Sequence, residues 1–142
     1  MKEFRAWDPI TKVIVADVVS NATSAAAAKF LPKVIDEMPF KVKSIQVDGG
    51  SEFMADFEKE CEKTKIPLYV LPPSRPQYNG GVERGNRIFR EELYGRNDIQ
   101  AESIGAFKVE LKKAVHKYNS YRPHFNLNGL TPFDYTHQIL AA

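Results

Sequence analysis

The sequence predicts an α/β fold, a mixed sheet with helices packed against it. Three observations predict it. Short runs rich in β-branched and aromatic residues alternate with longer segments whose apolar residues recur at helical spacing. Their order is hairpin, helix, strand, helix, strand and then helices, the pattern of a layered α/β domain. The chain of 142 residues is 43% hydrophobic and shows no repeat, low-complexity tract or long linker, so it reads as one domain with its own core.

The elements follow in order. "EFRAW" and "KVIVADVV" flank "DPIT", and Asp-Pro starts turns because proline fixes φ, so residues 3–19 form a hairpin. "NATSAAAAKFLPKVIDEM" opens on capping residues and runs into alanines, which makes a helix. Pro32 lies inside it and is expected to kink or divide it. "VKSIQVD" is a short strand ending on Asp48, and "GGSEF" is the turn after it. Phe53, Phe57 and Cys61 recur every fourth residue, one face of a helix. "IPLYVL" is a second buried strand, followed by the loop "PPSRPQYNGG". A helix from Val82 to Tyr94 has Val82, Phe89 and Leu93 on its apolar side, with Glu83, Arg87, Arg90 and Tyr94 on another stripe. The helix from Glu102 to Tyr118 turns Phe107, Leu111, Ala114, Val115 and Tyr118 inward. Lys108, Lys112, Lys113 and Lys117 lie largely on its solvated side. "RPHFNLNGLTPFDYTH" is a loop leading to a short final helix.

Charge is unevenly placed. Residues 1–71 hold 10 Lys/Arg against 11 Asp/Glu, whereas residues 72–122 hold 10 against 6, so the second half suits a polyanion. The single cysteine, Cys61, permits no internal disulfide and fits a reducing compartment, here read as the cytoplasm. No apolar run approaches the length of a membrane span, and no secretory leader is visible at the start. The three histidines lack zinc-ligand spacing.

Two carboxylates stand out. Asp48 ends a buried strand just before Gly-Gly, where open α/β sheets place their sites; as a plain structural residue it caps the following turn. Glu83 is the one acid in residues 75–90, among Arg75, Arg84, Arg87 and Arg90. Its structural alternative is an ion pair with Arg87 one turn on. Between Asp48 and Glu83 lie 34 residues, a helix, a strand and a loop, which can bring both acids together. Paired carboxylates hold hard divalent ions, and such ions serve phosphodiester chemistry. The arginines suit phosphates, while Gln77, Tyr78 and Asn79 suit sugars and bases.

"IQVDGGSEF", "PPSRPQYNGGVERGNRIFREEL" and "YNSYRPHFNLNGLTPFDY", in that order, resemble the catalytic core of the DDE recombinases, the retroviral integrases and bacterial insertion-sequence transposases. The likeness runs from about Phe4 to Tyr135. It implies an RNase H-like fold, Mg²⁺ or Mn²⁺, and strand transfer on DNA in a bacterial cell. It makes Asp48 and Glu83 the second and third acids of the metal site. It places Gln77, Asn79, Asn86, Arg87 and Arg90 against DNA. "DGG" replaces the commoner "DNG", and the interval to Glu83 is one residue short of usual.

The family's first acid lies on its first strand, and the candidates here fall one strand late. Asp8 precedes Pro9 and is a turn former; Asp17 lies one strand later still. The chain, 1–142, is therefore read as a core lacking the family's first strand, a central one. Its loss leaves two neighbouring strands open, and closure by strand exchange within a homo-oligomer, or by rearranged pairing, is expected. Two acids alone hold metal weakly, so little independent catalysis is expected. The alternatives are a non-catalytic DNA-binding or assembly module and a nuclease of the wider fold group.

Overall fold

A computed structural model describes residues 2–71 and 104–141. The first of these stretches opens with an antiparallel hairpin, β1 (Lys2–Trp7) and β2 (Ile14–Val19), in the register Lys2 opposite Val19 to Trp7 opposite Ile14. Asp8 makes the turn. Its carboxylate accepts from the Thr11 backbone at 2.7 Å and the Thr11 hydroxyl at 2.6 Å, and its carbonyl accepts from Lys12 N–H at 2.8 Å.

Helix α1 (Ser24–Glu37) is capped by Thr23, whose side chain accepts from Ala26 N–H at 3.1 Å. The expected break at Pro32 does not occur: α1 is a single 14-residue helix. Pro32 is exposed, so the carbonyl it leaves unpaired can turn to water, while Ala27, Phe30, Leu31 and Val34 hold the opposite face in the core.

Strand β3 (Ile45–Val47) and strand β4 (Leu68–Val70) pair in parallel around α2 (Asp56–Thr64). Phe53 does not begin α2, as its spacing suggested. It closes a 3₁₀ turn, Ser51–Phe53, and Ala55 at φ 42° separates that turn from the helix. Phe53 still packs edge-on against Phe57, with ring centroids 5.3 Å apart. Helices α3 (Ile104–Ser120) and α4 (Pro132–Ala141) complete the described fold, joined through a short 3₁₀ turn at Phe125–Leu127.

Strand β2 is covered on both faces. Phe4, Val13 and Val15 join α1 and α2 in one cluster with Phe30, Leu31, Phe57 and Cys61, against which Ile45, Val47 and Leu68 also pack. Ile14, Ala16 and Val18 point the other way, onto Phe107, Leu111 and Tyr118 of α3. Double coverage explains why "VIVADVV" lacks polar alternation. Among the described residues the strands form two sheets, β1–β2 and β3–β4, rather than one.

Asn119 ties α3 to the hairpin. Its side-chain oxygen accepts from Ile14 N–H at 3.0 Å and its amide donates to Ile14 C=O at 2.8 Å, so one buried side chain occupies part of the free edge of β2. Asn119→Leu leaves a buried peptide group without partners and is expected to cost about 1–3 kcal/mol in a denaturant titration.

His124 organises the loop after α3. Its N–H donates to Leu130 C=O at 3.0 Å, and its carbonyl accepts from Leu127 and Gly129. The ring stands edge-on to Tyr118, and its Nε2 is buried with no hydrogen-bond partner among the described residues. Burial pushes the imidazole down to about 4, aided by the Arg122 and Lys12 charges. A folded-state value below the ordinary 6.5 means that the neutral ring favours folding above pH 6.5, and that this advantage is lost as pH falls towards 4. Stability is expected to fall by roughly 3 kcal/mol across that window, and His124→Phe to remove most of this acid sensitivity. Denaturant midpoints at pH 7 and pH 4.5 check it.

Candidate metal and nucleic-acid site

Asp48 lies immediately after β3, and its side chain is exposed. Its Oδ1 accepts from Gly50 N–H at 3.0 Å. The turn-capping role is therefore real, and it uses one of several lone pairs on the carboxylate. The turn allows little room at its next step. A Cβ on Gly50 would lie 2.8 Å from Glu52 Oε2, so the Glu52 carboxylate lies against Gly50.

The turn is held from below. Phe53 lies between Phe4 and Phe57, at 6.2 and 5.3 Å between ring centroids. From the start of α1, Ser24 Oγ donates to Met54 C=O and accepts from Phe57 N–H at 3.1 Å. One hydroxyl thus spans the strained step at Ala55 and fixes the Asp48 turn to α1.

The ladder between β3 and β4 extends one residue beyond them, because Leu71 N–H donates to Val47 C=O at 2.9 Å. The chain consequently leaves β4 beside the residue before Asp48, heading into the segment that holds Glu83. Glu83, Gln77, Asn79, Asn86, Arg87 and Arg90 themselves lie outside the described residues.

The other two acids considered for the site have different work. Asp8 is the hairpin turn former. Asp17 bonds Val18 N–H at 2.8 Å and faces Lys33 and Lys108 at 3.8 and 3.7 Å. Lys108, Lys112, Lys113 and Lys117 are all exposed, as their spacing suggested, and Lys108 also pairs with Asp17. Among the described residues no three His, Cys, Asp or Glu side chains are grouped to hold a metal. The donors near Asp48 are carboxylate oxygens, the chemistry hard divalent ions take together with water. Glu52 was not singled out in the sequence. Its position three residues after Gly49 carries no signal until the turn is folded.

A family model described as "Integrase core domain" matches residues 64–132. That span contains Gln77, Asn79, Glu83, Asn86, Arg87 and Arg90, and starts after Asp48. No curated protein matches the sequence. The fold matches the catalytic core domain of BIV integrase with a TM-score of 0.76 and 22% identity, over 98% of this chain and 88% of that one. It also matches a chain of the simian T-cell lymphotropic virus intasome in complex with the PP2A regulatory subunit B56 gamma, with a TM-score of 0.79 and 20% identity. There 95% of this chain aligns, spanning 48%, about half, of the other. The fold is thus RNase H-like α/β, of the kind seen in retroviral integrase catalytic cores. The integrase-core segment at 64–132 takes up 69 of the chain's 142 residues, just under half.

Ser24→Ala is expected to cost about 1 kcal/mol and to speed hydrogen exchange at the Phe57 amide more than at core amides of β2. Residue-resolved exchange measured by NMR checks it.

Proposed function

We propose that this chain is the DNA-acting core of an integrase or transposase, with Asp48 and Glu83 as the acids that hold Mg²⁺ or Mn²⁺. The observation that carries the reading is positional. Asp48 is exposed at the C-terminal end of β3, and β4 delivers the chain beside it, into the stretch with Glu83 and the arginines. A bound divalent ion would supply Lewis-acid stabilisation of the attacking and leaving oxygens.

The protein's own residues have defined tasks. Gly50 N–H orients the Asp48 carboxylate. Glu83 supplies the second acid. Arg87 and Arg90 neutralise phosphates, Asn86 accompanies them on the helix, and Gln77 and Asn79 contact the strand from the loop. In strand transfer a DNA 3′-hydroxyl oxygen forms a new bond to phosphorus and gives its proton to solvent, while the bond to the departing 3′ oxygen breaks and that oxygen takes up a proton from solvent to become a new 3′-hydroxyl. DNA is the substrate, and the working compartment is the bacterial cytoplasm.

The assembly is a homo-oligomer in which a further strand joins the two small sheets, by exchange between copies or from a longer form of the chain. Support for this comes from the separation of β1–β2 from β3–β4 among the described residues. Without that strand we expect binding but little catalysis. A second reading, a DNA-binding or assembly module without catalysis, is favoured by one observation: Asp8 and Asp17 are both engaged away from the Asp48 turn.

Labelled duplex DNA and Mn²⁺ test the choice. We expect strand transfer to be weak for this chain, to rise when one more strand is supplied ahead of Lys2, and to vanish in Asp48→Asn of that longer form. Arg87→Ala should weaken DNA binding and lower its salt dependence by about one phosphate contact. DNA binding with no transfer in either form supports the second reading.

A further inference from the structure

The charge that suits a polyanion is concentrated on one helix. Residues 72–103 hold 5 Lys/Arg against 5 Asp/Glu, whereas residues 104–122, α3 and the turn after it, hold 5 against 1. The excess of the second half of the chain therefore falls on α3 and not on the arginine-rich stretch around Glu83. Helix α3 turns Phe107, Leu111 and Tyr118 onto β2, while Lys112, Lys113 and Lys117 are exposed. Lys113 pairs with Glu110 at 3.5 Å; among the described residues Lys112 and Lys117 make no ion pair. Two aromatic rings continue this face. Tyr121 N–H donates to Lys117 C=O at 3.0 Å, which keeps the helical step, so Tyr121 follows Lys113 and Lys117 along one row. Its ring is 69% exposed and stands across the His116 ring, with centroids 5.4 Å apart. Phe125 is 96% exposed at the start of its 3₁₀ turn, with His124 before it and Leu127 after it both buried and holding the turn in place.

We propose that this face of α3 and the turn after it form a second DNA-binding surface, taking phosphates on Lys112, Lys113 and Lys117 and unpaired bases on Tyr121 and Phe125. The inference rests on the DNA-acting reading above and adds a surface on another element. Lysine ammonium groups meet phosphates as point charges, and aromatic faces stack on bases whatever the sequence. A duplex would engage the lysines and leave both rings idle, so the combination favours a strand whose bases are free. A protein partner fits this face less well, because the cores of protein interfaces are depleted of lysine.

Fluorescence anisotropy of a labelled oligothymidylate, titrated with the full chain across a salt series, tests this without an activity assay. Tyr121→Ser and Phe125→Ser should each weaken binding by about tenfold and leave its salt dependence unchanged, as lost stacking does. Their affinity for a blunt duplex should stay close to that of the wild type. Lys112→Ala combined with Lys117→Ala should instead lower the slope of log affinity against log salt by about 1.4, two phosphate contacts on a single strand. Thermal melting establishes that each variant folds. Oligothymidylate binding that Arg87→Ala weakens and these changes leave untouched overturns the second surface and leaves the DNA-acting reading standing. An effect of the lysine changes alone overturns the role of the two rings. Aromatic changes that alter the oligomeric state in sedimentation, with DNA affinity unmoved, overturn the proposal in favour of a protein contact. Absence of binding to oligothymidylate and duplex alike overturns the DNA-acting reading, and this surface with it.

Discussion

Strand β2 is buried on both faces, and most of the described structure depends on that constraint. One face of the strand supports α1 and α2 through Val13 and Val15, and the other supports α3 through Ile14, Ala16 and Val18. A strand in that position has no face left for water, so its edge must also be managed. Asn119 does this by bonding both backbone groups of Ile14, and Asp17 covers the Val18 N–H. Side chains thus stand where another strand would otherwise pair. The helix that supplies Asn119 lies 105 residues away in the chain, so the hairpin and the C-terminal helices stabilise each other across the whole sequence.

The same framework sets the Asp48 turn. Phe4 of β1 packs against Phe30 and Phe53, linking the hairpin, α1 and the turn through aromatic faces. Ser24 then closes the connection from α1 to α2. The Asp48 carboxylate is therefore carried on a turn whose underside is packed. Functional groups are positioned most accurately when their supports are fixed in this way.

Much of this was legible in the sequence. The hairpin followed from the Asp-Pro turn, and α1 from its cap and alanines. The position of Asp48 followed from a strand that ends on an acid before two glycines. The misreadings share a cause. Pro32 suggested a break, but a single missing hydrogen bond on an exposed face is outweighed by four buried side chains on the other. Phe53 sits at helical spacing from Phe57, yet the break at Ala55 lets a 3₁₀ turn present the same ring to the same core. Periodicity reports which side chains share a face and is blind to how the backbone gets them there. Asn119 was illegible for a different reason: it acts on a peptide group whose exposure depends on the folded chain.

The central claim is that the acid ending β3 is a metal ligand in an integrase-type core. Anomalous diffraction from crystals soaked in Mn²⁺ addresses it most directly. The account predicts a manganese peak about 2.1 Å from an Asp48 carboxylate oxygen, a direct bond of the kind small divalent ions make to carboxylates. Manganese bound only at other surface acids, with Asp48 still turned wholly towards Gly50 N–H, would contradict it and leave Asp48 as a turn cap alone.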